Sequence, residues 1–130
     1  MAENKPFNGI EHVTIAAKDP QTLARWYCDT LGFRVVYEST TSTTRIVKLG
    51  DSLLEIVAGP DVKSTSDSSK AMGLSHIAIS VSDIQEAFDD LKKKRISFET
   101  EPSEKKGVWT AFFKDAENNQ LHLIQRDDRL

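Results

Sequence analysis

At 130 residues, with 38% hydrophobic and 28% charged residues, the chain is sized for one domain or two small modules sharing a core. A net charge of −3 and a pI near 5.6 argue against nucleic acid as a partner, which requires a basic face. There is no apolar run of membrane-spanning length, no signal-peptide core in MAENKPFNG, and only one cysteine, Cys28, so a cytoplasmic protein without membrane partners is expected.

The first element in chain order is an alternating strand, IEHVTIAAKD, which contains His12 and runs to Asp19. Asp19 can cap a helix that has Pro20 at its first position, where a missing N–H costs nothing. Leu23, Trp26 or Tyr27, and Leu31 keep helical spacing, and Gly32 is placed to end the helix. Strands are expected at about 33–38, 43–49 and 52–57. The polar stretch GPDVKSTSDSSKAM, residues 59–72, reads as a linker or flap with little to bury.

The same order then recurs. LSHIAISVSD places His76 and Asp83 as IEHVTIAAKD places His12 and Asp19, with Ile10 matching Leu74, Val13 matching Ile77 and Ile15 matching Ile79. Asp83 and Glu86 have capping-box spacing, and Ile84, Ala87 or Phe88, and Leu91 supply an apolar stripe. Lys92, Lys93, Lys94 and Arg95 in the last turn suit the helix dipole and read as a solvated end. Strands are expected at 96–101, 107–114 and 119–125, with Asn118 or Asn119 supplying a positive φ in the turn DAENNQ. The last strand, QLHLIQ, matches SLLEIV, so that Leu54 pairs with Leu121, Glu55 with His122 and Ile56 with Leu123. The expected fold is α+β: two tandem βαβββ modules, about 8–58 and 73–126, joined by the linker 59–72.

All three histidines and one glutamate fall at repeat-related places. Side chains alternate across a strand, so His12, Glu55, His76 and His122 each lie opposite an aliphatic set that packs on a helix. Small neighbours, Thr14, Ala16, Ala78 and Ser80, leave room on the ligand-bearing face. A single histidine on a strand is ordinarily just solvated or hydrogen-bonded. Four imidazole and carboxylate donors in matching positions point instead to a site for one divalent ion, drawn from Zn, Ni, Co, Mn or Fe. Among the other candidates, Cys28 reads as a structural thiol, and Arg45, Lys105 and Lys106 read as a solvated face rather than an anion clamp.

The segments HVTIAAKDPQTLARWYCDTLGF, LLEIVAGP, SHIAISVSDIQEAFDDL and FKDAENNQLHLIQ resemble the vicinal oxygen chelate superfamily of glyoxalases, bleomycin resistance proteins and extradiol dioxygenases. The resemblance spans about residues 8–126 and implies curved mixed sheets forming a cupped, half-open barrel with the helices outside, commonly in a homodimer. It also implies metal ligands at His12, Glu55, His76 and His122. Two features depart from the glutathione-dependent bacterial glyoxalases. The last-strand ligand, most often glutamate, is His122, and the positions that would hold glutathione through arginine and asparagine are Ala16 and Gly59.

Three imidazoles and one carboxylate leave a divalent site with net positive charge, where two of each would leave it neutral. A more positive site favours anionic enediolate, enolate or catecholate character in a small substrate offering two neighbouring oxygens. The expected function is therefore a metal-dependent glyoxalase-like lyase, isomerase or epimerase that is not glutathione-dependent, with Glu55 and His122 as the acid–base candidates. The alternatives are an extradiol-type dioxygenase, since two histidines and a carboxylate form a non-haem iron triad, and an antibiotic-binding resistance protein.

Overall fold

A computed structural model of the chain describes residues 6, 8–60, 73–128 and 130. The chain divides into two compact units, Met1–Asp61 and Val62–Leu130. The fold is α+β, with one βαβββ module in each unit and an open four-stranded mixed sheet in each module.

In the first unit, β1 (His12–Ala17) leads into α1 (Pro20–Leu31), followed by β2 (Arg34–Glu38), β3 (Arg45–Leu49) and β4 (Ser52–Ala58). The spatial order is β1-β4-β3-β2, with β1 and β4 parallel and the other neighbours antiparallel. The helix forms where the sequence places it. Asp19 accepts a hydrogen bond from the Thr22 amide at 3.1 Å, Pro20 opens the first turn, and Gly32 ends the helix at a φ of 83°. Of the two aromatic candidates for its inward face, Tyr27 is fully buried and Trp26 only half-buried. Leu23 and Tyr27 belong to the same buried set as Val47, Leu54 and Ile56 of the sheet, a layer whose burial supplies roughly 1.5–3 kcal/mol per large side chain.

In the second unit the order is β5 (Ile77–Ser80), α2 (Ile84–Lys93), β6 (Ser103–Lys105), β7 (Val108–Lys114) and β8 (Gln120–Arg126). The sheet order β5-β8-β7-β6 repeats that of the first unit, again with its first and last strands parallel. Asp83 caps α2 by accepting from the Glu86 amide at 3.1 Å, and the Ile84 amide donates to Gln125 Oε1 at 2.7 Å. Phe88 rather than Ala87 is the buried member of the helical stripe, beside Ile84 and Leu91. Helix α2 stops at Lys93; Lys94 caps it and Arg95 turns out at a φ of 67°. Asn118 takes the positive φ of the turn before β8, at 68°, while Asp115 Oδ1 accepts from the Glu117 and Asn119 amides.

Three expectations are corrected. The strand expected at 96–101 is a single bridge between Phe98 and Phe113, with the regular strand β6 displaced to Ser103–Lys105. The reason is local. The Phe112 amide is taken by the Thr100 hydroxyl at 2.9 Å rather than by a backbone carbonyl, and Pro102 follows with no amide to give. His76 lies one residue before β5 instead of inside it. His122, expected on a face with room around it, is buried at 7% exposure. Of the expected linker, residues 61–72 lie outside the described residues, so its mobility is a sequence expectation alone.

Candidate metal centre

Strand register builds the first donor pair. Parallel pairing of β1 and β4 sets Thr14 opposite Glu55 and His12 opposite Leu53. His12 and Thr14 lie on one face of β1, and both reach the Glu55 carboxylate. The Thr14 hydroxyl donates to Glu55 Oε1 at 2.8 Å, and His12 Nε2 lies 3.5 Å from the same oxygen. The other ring nitrogen, His12 Nδ1, is 2.8 Å from Glu11 Oε1. The His12 and Glu55 side chains are 35% and 28% exposed, so both remain open to solvent or a ligand.

The second unit repeats this register with different chemistry. Ala78 stands opposite His122 on β5 and β8, the counterpart of Thr14 opposite Glu55. His76 and His122 meet with ring centroids 4.6 Å apart at an interplanar angle of 75°. Phe112, opposite His122 across β7 and β8, packs on its ring at 4.6 Å and closes the side that its counterpart in the first unit, Ile46, borders for Glu55. Ala78 has no hydroxyl to offer, and His122 Nδ1 is buried without a hydrogen-bond partner. Burial, and to a lesser degree the charge of a protonated His76, holds the His122 pKa below the usual imidazole value. The neutral form, which is the ligating form, is thereby favoured.

The donor chemistry fits a divalent ion on two observations. Two ligand atoms each about 2.1 Å from one ion stand about 3.4 Å apart at a tetrahedral angle, and the 3.5 Å between His12 Nε2 and Glu55 Oε1 is close to that edge. The buried, unpartnered Nδ1 of His122 is a polar atom of the kind that calls for a bonding partner. Among the described residues, no group of three or more His, Cys, Asp or Glu side chains gathers at metal-binding separation; the donors stand as two pairs, one in each unit.

Sequence alone does not mark several neighbours of these pairs as functional. Thr14 reads there only as a small residue, and its position opposite Glu55 follows from a register that alternation does not fix. Glu11 and Ser75, whose Oγ is 3.3 Å from His76 Nδ1, each directly precede a candidate ligand; that adjacency was the available signal. Ala16 and Gly59 are packed side by side: a Cβ on Gly59 would lie 3.3 Å from the Ala16 Cβ, so a larger residue at 59 fits only if Ala16 gives way. Arg45 is engaged by Glu38 at 3.3 Å. Cys28 is half-buried, and burial raises its thiol pKa, which suits a structural role.

Residues 9–123 match the sequence profile of the Glyoxalase/Bleomycin resistance protein/Dioxygenase superfamily, and the chain belongs to that superfamily. The uncharacterized protein YwkD of Bacillus subtilis is 29% identical over 125 residues, covering 90% of this chain and 96% of its own. A glyoxalase family protein from Enterococcus faecalis superposes with a TM-score of 0.76 at 29% identity, covering 91% of this chain and 98% of that one. Lactoylglutathione lyase from Agrobacterium tumefaciens shares the fold, with a TM-score of 0.71 at 19% identity over 93% of this chain and 96% of that one. Among the described residues, no helix is long and apolar enough to cross a membrane.

Proposed function

We propose that the protein is a metal-dependent glyoxalase-like enzyme of lyase, isomerase or epimerase type. Its substrate is a small molecule with two neighbouring oxygens, and His12, Glu55, His76 and His122 are the ligands of one divalent ion. The observation that carries this reading is the matched register: Thr14 opposite Glu55 and Ala78 opposite His122 put one donor pair at the same place in each module. A divalent ion held there would act as a Lewis acid toward the paired oxygens of the substrate.

The chain's own residues supply the rest. Thr14 fixes the Glu55 carboxylate, leaving it half-exposed where it can exchange a proton with a bound molecule. Phe112 packs on the His122 ring, and the burial of that imidazole strengthens polar interactions made there. The paired Ala16 and Gly59 provide neither the charge nor the amide of a glutathione clamp, so the substrate is not a glutathione adduct. The working unit proposed is a homodimer. Ile10 and Leu74, at matching positions ahead of β1 and β5, are 87% and 75% exposed and offer apolar surface for a second copy to cover.

Elemental analysis of protein purified without chelator tests the reading. One divalent ion per chain, lost on replacement of the ligands, is expected. A chain that takes up no divalent ion overturns it. Bound iron with substrate-dependent oxygen uptake would establish the dioxygenase alternative, and tight antibiotic binding by metal-free protein would establish sequestration.

A further inference from the structure

Each module opens with a histidine whose Nδ1 meets the side chain immediately before it. His12 Nδ1 lies 2.8 Å from Glu11 Oε1, and His76 Nδ1 lies 3.3 Å from Ser75 Oγ. Glu11 and Ser75 hold matching places in the repeat, but their chemistry differs. An ionised carboxylate only accepts, so its partner Nδ1 must carry a proton. A hydroxyl both donates and accepts, so Ser75 suits either tautomer of His76. When a neutral imidazole carries its proton on Nδ1, the lone pair lies on Nε2. In His12 that is the atom facing Glu55 Oε1 at 3.5 Å.

We propose that Glu11 is a positioning residue for the metal centre. Its carboxylate holds the neutral His12 ring in the Nδ1–H tautomer and directs the Nε2 lone pair to the side where Glu55 stands. Ser75 steadies the His76 ring without selecting its tautomer. The two modules therefore differ in preparation: His12 is set for ligation before an ion arrives, whereas Ser75 leaves His76 free to take either tautomer. Carboxylates behind ligating histidines fix tautomer and ring orientation in this way. The proposal rests on the reading of His12 as a ligand. Glu11 itself is 80% exposed, so removing it uncovers no core.

The test uses the metal-free full-length protein at alkaline pH, where imidazole is neutral, and reads each histidine's tautomer from two-bond nitrogen–proton NMR couplings. His12 is expected as the Nδ1–H form. Glu11→Ala should move it to the Nε2–H form that unassisted imidazole prefers in water, whereas Ser75→Ala should leave His12 unchanged. Competition titration with zinc should then show Glu11→Ala weakened by about tenfold to a hundredfold, and Ser75→Ala by less than about tenfold. An Nε2–H ring in the parent protein, an unchanged ring in Glu11→Ala, or a tautomer change without loss of zinc affinity would each overturn the proposal. If the parent chain binds no metal, the proposed enzyme function falls on that result, while the tautomer spectra still decide whether Glu11 holds His12.

Discussion

The two modules share a register and differ in how each satisfies its central donor. In the first, Thr14 donates to Glu55, and the carboxylate stays half-exposed between that hydroxyl and His12. In the second, the hydroxyl is replaced by the methyl of Ala78, Phe112 covers the ring, and His122 is buried with Nδ1 unpaired. A repeated backbone can thus carry two electrostatic roles. One half presents a charged, solvated, hydrogen-bonded donor; the other presents a neutral donor whose environment is costly until something binds it.

The largest test of this contrast is removal of the buried donor. His122→Ala should weaken zinc binding by well over about tenfold, by comparison with the roughly 10–100-fold cost of losing mere outer support, as read by competition titration. His122→Glu should keep the ion, since a carboxylate is an equally suitable ligand. Unchanged zinc affinity in His122→Ala would remove the second module's buried histidine from the site.

Next comes the hydroxyl of the first module. Thr14→Val keeps shape and removes the hydrogen bond to Glu55. Zinc affinity should drop by roughly tenfold, while the exposed setting keeps the stability loss under about 1 kcal/mol. A loss of stability with no change in affinity would make Thr14 a structural residue only.

The contrast can also be reduced by design. Ala78→Thr places in the second module the hydroxyl that the first already has. Satisfying His122 Nδ1 should stabilise the metal-free protein by about 1 kcal/mol in urea unfolding, and the added partner should compete with the ion. Destabilisation would show that matched register does not extend to matched side-chain reach.

The smallest effect expected is in pH dependence. The His122 pKa is lowered by burial from 6.5, so in acid the unfolded chain takes up its proton first. Stability of the metal-free protein should be fully present above the unfolded value and fall as pH drops through it toward the lower folded value. His122→Leu should flatten that part of the profile; an equally steep fall in the variant would assign the slope elsewhere.

Much of this was legible in the chain. The helix caps Asp19 and Asp83, the stop at Gly32 and the positive φ at Asn118 are local chemistry, and the structure has each where sequence puts it. The strand expected at 96–101 was not legible. Whether the Phe112 amide pairs with a backbone carbonyl or with the Thr100 hydroxyl depends on how a distant strand arrives. The burial of His122 was hidden for a similar reason. Alternation places His122 away from Leu121 and Leu123, but the ring that covers it, Phe112, comes from the neighbouring strand.

The duplication, the element order and the residue types able to bind a metal can be read along the chain, because periodicity, capping and ligand chemistry are properties of short segments. Which side chains meet depends on how the strands pair. Pairing across β1 and β4, and across β5 and β8, joins residues far apart in the chain, and a one-residue slip in either would turn its donors to the opposite face. That register gives Glu55 its hydroxyl and leaves His122 without one, a difference that comes from the neighbouring strands rather than from either donor.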